Sequence, residues 1–254
     1  MAKQKGVIKL EGSIGDISFY KGRDGNFMAR TKGGISGDRI KNDPAFERTR
    51  ENGQEFGKAG KAGKLVRAAF REVIKTNKDS RMSNRLTQEM MKVIQADTTN
   101  LRGERVVLPD HIRLIKGFDF NETAKLSTVM SLPFTLTVNR AEGSISLVLP
   151  AFVPANSIVT PGGATHARLV LGASEMDFDA ESYVTTSAQS SMVPISGEEQ
   201  AQVTLECGIT EAGTLPLLVV LGVEFYQEVN GQQYPLKNGT YNALSIVETN
   251  LPAR

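Results

Sequence analysis

The chain has little of the chemistry on which most enzymes depend. Its 254 residues include no Trp, one Cys and two His, and aromatic residues make up only 6%. A zinc site needs more Cys and His ligands than this, and the lone Cys207 excludes an internal disulfide framework. The phosphate-loop, dinucleotide-binding and nucleophile-elbow motifs are also absent from the sequence. We therefore expect a protein that is not an enzyme, with no catalytic, cofactor-binding or metal-binding residues.

The sequence also lacks a long hydrophobic run. The longest, residues 215–223, is too short to span a bilayer. Residues 1–9 contain no apolar segment of the kind found in secretory signals. A single cysteine is typical of a reducing compartment. We expect a cytoplasmic protein without a membrane partner, long enough for one large domain or two ordinary ones.

Charge is distributed unevenly along the chain. Residues 1–105 contain 23 Lys and Arg against 13 Asp and Glu, whereas residues 106–254 contain 7 against 15. The net charge of +2 therefore hides a basic half and an acidic half. Such asymmetry indicates either a polyanionic partner for the basic half or head-to-tail contact between copies.

The first 42 residues are predicted to form a β-hairpin arm followed by a linker. Strand-like runs at 14–21 and 27–32 flank an Asp-Gly dipeptide, a preferred two-residue turn in which both positions have positive φ. An isolated hairpin is marginal in water, so it must pack on the body of the protein or extend the sheet of a neighbouring subunit. The residues predicted to contact a neighbour are Ile14, Ile17, Phe19, Tyr20, Phe27 and Arg30.

Residues 42–78 carry the signals of a long helix that starts at Asp43 and Pro44. Apolar residues gather on one face of this helix, and a basic stripe gathers on the opposite face. The stripe consists of Lys58, Lys61, Lys64, Arg67 and Arg71. Glycines at 53, 57, 60 and 63 each lower helix stability by roughly 1 kcal/mol relative to alanine. They indicate either close approach by another backbone or a phosphate, or a basic loop over 57–63 between two shorter helices.

The hydrophobic period changes to two from residue 129 onward. Strands are predicted at 132–139, 144–149, 165–172, 183–187, 201–209, 215–229 and 240–249. Strands of this number, separated by turn signals, favour an antiparallel, immunoglobulin-like β-sandwich. The fold class predicted is therefore α+β. It has an arm and linker at 1–42, a basic helical region at 43–128 with shorter helices near 84–96 and 109–116, and a β-sandwich domain at 129–254.

Four carboxylates alternate with other residues at the end of one predicted strand. They are Glu175, Asp177, Asp179 and Glu181. On a strand this spacing would place all four on one face, where they could dock a basic partner, hold a hard cation, or form a plain solvated edge. The pattern lacks the glycine and terminal glutamate of a calcium loop, which argues against a cation site, and like charges in a row are typical of a solvated face. A docking face for a basic partner is the functional hypothesis that these four carboxylates support.

Several segments resemble a family of uncharacterised bacterial proteins. They are the pattern Gly-x-Ile-Gly-Asp-Ile-x-Phe-Tyr-Lys with the following Asp-Gly and arginine (12–30), GFDFN (117–121), GGATHARL (162–169) and the long segment at 220–244. This resemblance covers most of the chain and implies no assigned activity. A basic, glycine-rich arm before a β-sandwich is also similar in architecture to phage-type structural proteins, whose arms lace neighbouring subunits together.

Two functions follow as expectations. The first is a non-enzymatic, self-assembling structural protein, a homo-oligomer joined head to tail by arm exchange and by contacts between basic and acidic halves. The alternative is a nucleic-acid-associated protein that binds phosphates through its basic half. A sandwich that binds a small molecule or carbohydrate is a further alternative.

Overall fold

The chain divides into two compact units, Met1–Arg50 and Glu51–Arg254. A computed structural model describes residues 2–31, 33–77 and 79–251, and the side chains of all of these except 237 and 238. The predicted boundaries at 42 and 128 differ from this division. The physical reason is that the helices after residue 50 share a hydrophobic core with the strands that follow them.

The first unit contains a four-stranded sheet and a short helical segment. Its elements are β1 (Ala2–Lys3), β2 (Gly12–Ile14), β3 (Ile17–Lys21), β4 (Phe27–Thr31), α1 (Gly37–Asn42) and a 3-10 turn (Pro44–Phe46). The sheet has the order β1-β4-β3-β2 with antiparallel pairing throughout. The helix α2 (Glu47–Ala69) begins in this unit and continues into the second.

The predicted hairpin at 14–32 is present, but its details differ. Gly15, at a φ of 53°, turns the chain and divides the predicted strand 14–21 into β2 and β3. In the turn between β3 and β4, the Gly25 N–H donates to the Gly22 carbonyl at 3.0 Å. Of the described turn residues only Gly25 has positive φ, so the expectation of two positive-φ positions is wrong. The Gly22 N–H donates to the Asn26 carbonyl at 2.8 Å, which leaves a three-residue loop at 23–25. Residue 32, the end of the second predicted strand, lies outside the described residues.

The second unit contains most of the regular structure. Its further helices are α3 (Arg71–Ile74), α4 (Met82–Gln95), α5 (Leu126–Val129), α6 (Pro154–Ser157) and the 3-10 helices Pro109–Ile115 and Leu236–Gly239. Its strands are β5 (Thr135–Asn139), β6 (Ser144–Leu149), β7 (His166–Asp177), β8 (Ser182–Gln189), β9 (Val193–Pro194), β10 (Val203–Gly208), β11 (Leu217–Val229), β12 (Gln232–Pro235) and β13 (Ala243–Asn250).

Three layers make up the second unit. The middle layer is an antiparallel sheet in the order β12-β11-β7-β8, with β13 also beside β11 and β9 also beside β7. A three-stranded sheet, β10-β6-β5, covers one of its faces, and the helices α2 and α4 cover the other. The predicted α+β class with a β-sandwich-like arrangement is thus confirmed.

The strand β11 explains why one run of the sequence is apolar without interruption. Leu217, Val219 and Leu221 face the three-stranded sheet, whereas Leu218 and Val220 face the helices. Because a strand covered on both faces has no solvent side, alternation with polar residues disappears. The middle sheet is therefore the structural centre of the unit.

The helix α2 is continuous through residues 57–63, so the alternative of a loop there is wrong. Asp43 caps the preceding 3-10 turn, because its carboxylate accepts the Ala45 N–H at 2.9 Å. Ala59 and Ala62 are buried in the helix–sheet core, which fixes the segment as helix despite its glycines. The helix ends at Ala69, well before residue 78, which lies outside the described residues.

No helix in the described ranges is both long enough and apolar enough to cross a membrane.

Candidate interaction surfaces

The N-terminal sheet has one apolar face. Ile14 lies opposite Ile17 in the β2–β3 pair, and Lys21 lies opposite Phe27 in the β3–β4 pair. Residues paired across strands point to the same side, and so do alternate residues along one strand. Ile14, Ile17, Phe19 and Phe27 therefore share a face.

This apolar face has no cover within its own unit. Across the described part of residues 1–50, no side chain is buried. Ile14 is 64% exposed and Ile17 is 44% exposed. The same 50 residues also expose Val7, Ile8, Leu10 and Ile35. The sheet thus holds its shape by backbone pairing, without a hydrophobic core of its own.

The opposite face of the sheet is mostly polar, although Met28, which pairs with Tyr20, also lies on it. It carries Ser13, Ser18, Tyr20 and Arg30, and the Arg30 guanidinium lies 5.5 Å from the centre of the Tyr20 ring. The six residues predicted to contact a neighbour therefore lie on two different faces. Four of them form the apolar face, and Tyr20 and Arg30 do not.

Two lysines border the apolar face. The Lys21 ammonium lies 5.6 Å, and the Lys9 ammonium 6.0 Å, from the centre of the Phe27 ring. Lys9 also donates to the Gln4 carbonyl at 2.7 Å, which fixes its position beside the ring. The face is therefore apolar at its centre and cationic at one border.

The predicted basic stripe on α2 is only partly a free surface. Lys58 donates to the backbone carbonyls of residues 103, 104 and 105 at 2.6 to 3.3 Å, so it anchors that loop. Arg67 donates to the carbonyl of Gly63. Lys61, Lys64 and Arg71 are exposed, but Arg71 begins α3 and therefore lies beyond the end of α2. The stripe thus combines anchoring residues with residues that face solvent.

The glycines of α2 have two different surroundings. At Gly53, Gly57 and Gly60, a Cβ atom would meet nothing within 4 Å. At Gly63, a Cβ atom would contact Leu86 and Thr87 of α4 at 3.6 to 3.7 Å. Within the described residues, then, only Gly63 adjoins a neighbouring element. The other three leave a strip of bare helix backbone at the surface.

The four predicted carboxylates do not share a face, so that geometry is wrong. The strand β7 ends at Asp177, and the chain reverses before β8. Asp179 and Glu181 lie in this turn and are exposed, whereas Glu175 is 2% exposed. Because the strand stops after the second carboxylate, the alternation on which the prediction depended is interrupted.

Glu175 has a structural partner that the sequence reasoning missed. Its carboxylate accepts the Thr210 N–H at 2.8 Å and lies 3.8 Å from the Arg140 guanidinium. Arg140 also donates to the carbonyls of Gly213, Leu215 and Asn250. Burial lowers the pKa of Arg140 below its ordinary value, and the nearby Glu175 carboxylate offsets only part of this effect. The pair links β7 to the loop at 210–215 and to the end of β13. Because Glu175 is buried and already paired, it is unable to dock a partner.

A second buried cluster was also missed. Arg168 on β7 donates to Glu224 on β11 at 2.6 Å and to the Tyr226 hydroxyl, and Tyr226 donates to Glu224 at 2.8 Å. Burial and the Glu224 carboxylate raise the pKa of Tyr226 to about 12. The available signal was the presence of ionisable residues within otherwise apolar strands, but the strand register needed to pair them is not visible in the sequence.

The residues most often used in catalysis are scattered. Cys207 is buried, and burial raises the pKa of its thiol. His166 lies with Nδ1 3.0 Å from the Thr165 hydroxyl. Among the described residues there is no group of three or more His, Cys, Asp or Glu that could hold a metal ion.

Comparisons with known proteins add little to this geometry. No family model matches the sequence, and no match is found among curated proteins. A structure from work on pH-induced modulation of Streptococcus parasanguinis adhesion by Fap1 fimbriae aligns with 45% of this chain and 80% of its own. The alignment has 10% identity and a TM-score of 0.22, so no argument is based on it.

Proposed function

We propose that this is a non-enzymatic, self-assembling structural protein whose copies are joined through the N-terminal sheet. The observation that carries the proposal is an apolar face, centred on Ile14, Ile17 and Phe19, on a sheet with no buried side chain among its described residues. A small sheet without a core is marginal in water. A second copy that covers this face would supply the core that the unit lacks.

The expected gain from such contact is substantial. Complete burial of an isoleucine or phenylalanine side chain contributes about 1.5 to 3 kcal/mol. Four such side chains on one face could therefore contribute several kcal/mol, enough to offset part of the entropy lost when two copies associate. Ile14 and Ile17, the more exposed members, offer the largest gain.

The proposal also includes three predictions made from the sequence about the fold, the type of protein and its location. The immunoglobulin-like character of the sandwich, the likeness to phage-type proteins and a cytoplasmic location remain predictions. The basic N-terminal half and the acidic C-terminal half favour head-to-tail contact over contact between identical surfaces.

The test compares two double variants of the full-length chain by sedimentation velocity and negative-stain electron microscopy. Ile14→Asp with Ile17→Asp places two charges on the apolar face, and Ser13→Asp with Ser18→Asp places two charges on the opposite face of the same strands. We expect the wild-type protein and the serine variant to form the same large species, and the isoleucine variant to remain a smaller soluble species. Wild-type protein that stays monomeric at all concentrations would overturn the proposal.

Nucleic-acid association remains the second candidate. The observation in its favour is that the exposed Lys64 lies on the same side of α2 as the bare glycines, where a phosphate backbone could approach closely, and the exposed Arg71 follows at the start of α3. Filter binding with DNA and RNA at increasing salt tests it. Binding that falls steeply with salt and is lost in the double variant Lys64→Glu with Arg71→Glu would support nucleic-acid association. Unchanged binding in that variant would exclude the basic stripe as the nucleic-acid-binding surface.

A further inference from the structure

We infer that the apolar face of the N-terminal sheet docks on the β7–β8 turn of a second copy. This inference rests on the proposed self-assembly and adds the identity of the partner surface. The occupant is a segment already described, residues 177–184, and the contact joins different surfaces of two identical chains.

Charge argues against packing of two N-terminal sheets on each other. Residues 1–50 contain 11 Lys and Arg against 6 Asp and Glu. Face-to-face packing that covers Phe27 with the Phe27 of the other copy would bring the bordering Lys9 and Lys21 close to the same residues of that copy. Like charges brought together at an interface oppose association. A partner surface that is apolar and acidic is required instead.

Two hairpins of the second unit combine exposed apolar side chains with carboxylates. The β11–β12 hairpin exposes Val229 and Tyr234 beside one carboxylate, Glu228. The β7–β8 hairpin exposes Tyr183 and Val184 on opposite faces of β8, and it carries Asp177 at the end of β7 and Asp179 and Glu181 in its turn. With three carboxylates against one, and with Val184 exposed beside them, the β7–β8 hairpin is the better match in charge to a lysine-bordered apolar face.

The turn between β7 and β8 is preformed. The Asp177 carboxylate accepts the N–H groups of Asp179 and Ala180 at 2.9 and 2.8 Å. Glu181 lies in the left-handed region with a φ of 51°. Because the turn is held by its own hydrogen bonds, little ordering entropy would be lost when a partner binds.

One carboxylate of the turn already has an internal partner. Lys61 of α2 lies 3.1 Å from one oxygen of Glu181, with the two side chains 70% and 59% exposed. Exposed ion pairs of this kind contribute little to stability, so a lysine of a second copy can join or replace Lys61. Asp179 and Val184 remain exposed for the contact.

Reciprocal charge reversal tests the pairing. In the full-length protein, Lys9→Glu with Lys21→Glu reverses the border of the apolar face, and Asp179→Lys with Glu181→Lys reverses the turn. We expect each double variant alone to weaken association by about 10- to 100-fold in sedimentation equilibrium. An equimolar mixture of the two variants should regain wild-type association, because each reversed surface then meets a complementary one.

Matched variants control for charge alone. Lys3→Glu with Arg30→Glu changes the opposite face of the sheet, and Glu198→Lys with Glu199→Lys changes an exposed acidic pair elsewhere. Neither should alter association, and thermal melts verify that every variant is folded. If the wild type assembles but mixing fails to restore the reversed variants, this partner surface is wrong and self-assembly stands. A monomeric wild type would overturn both.

Discussion

At the scale of single residues, Asp97 is the most tightly bound carboxylate described. Its side chain is completely buried and accepts hydrogen bonds from the N–H groups of Thr99, Asn100 and Val106 and from the side chains of Thr99 and Asn100. Burial acts to raise the pKa of Asp97, but these hydrogen bonds outweigh it and hold the pKa well below the ordinary 3.8. The carboxylate therefore organises the loop that follows α4.

We predict that Asp97→Asn lowers the free energy of unfolding by about 2 to 3 kcal/mol at pH 7, because an amide cannot accept all of these hydrogen bonds. Since the folded-state pKa is depressed, this stability is present above pH 4 and is lost as the pH falls below it. The difference in free energy of unfolding between wild type and variant, measured by urea denaturation, should thus be smaller at pH 3 than at pH 7. Glu199→Gln, at an exposed carboxylate, is the control, and a gap that does not change with pH would contradict the prediction.

Local conformation could be predicted from the sequence better than contacts between distant side chains. The sequence places Lys61 and Glu181 on separate segments 120 residues apart, and their ion pair depends on how α2 lies across the middle sheet. Arg140 and Glu175 could not be paired either, because strand register and burial decide that contact. By contrast, the left-handed turn at Asn230 and Gly231 follows from local chemistry, since both residues tolerate positive φ.

At the scale of elements, the bare glycines of α2 make a prediction about stability. Gly57→Ala and Gly60→Ala should each raise the free energy of unfolding by about 0.5 to 1 kcal/mol, because a methyl group reduces chain entropy in the unfolded state and meets no neighbour. Urea denaturation measures the change.

The matched opposite case is Gly239→Ala. Gly239 has a φ of 79°, and a Cβ atom there would overlap the Thr76 carbonyl oxygen. We expect that variant to lose about 2 kcal/mol or more. Alanine at 57 or 60 that destabilises the protein would mean that another surface occupies the glycine strip in solution.

Element types were largely predictable, and their ends and layers were not. Period-two alternation identified β6 and β10, because each has one buried and one more exposed face, and it identified β5, whose Leu136 and Val138 are half-buried beside exposed threonines. The same pattern wrongly predicted that the carboxylate face continues past Asp177. The turn there is formed by hydrogen bonds to the Asp177 carboxylate, and alternation of residue types does not reveal such a turn. The covering of the middle sheet by α2 and α4 depends on long-range packing, which composition does not encode.

At the scale of the whole molecule, the contrast between the basic and acidic halves is partly resolved within one chain. Lys61 on α2 already meets Glu181 on the β7–β8 turn. Residues 1–50 carry half of the cationic excess of the basic half, and there Lys9 and Lys21 adjoin an uncovered apolar face. The proposed assembly should consequently weaken as salt concentration rises, whereas the folding of the second unit should change little.

The enclosure of β11 has a consequence for the protein's lifetime in solution. Residues 217–223 are uncharged and rich in Leu and Val, a composition typical of segments that form cross-β aggregates. In the folded chain both edges of β11 are paired, by β7 on one side and by β12 and β13 on the other, and both faces are covered. Detachment of the helical layer alone would uncover one face of this strand. The rate of that partial opening, rather than of complete unfolding, would then set how quickly the protein is lost to aggregation.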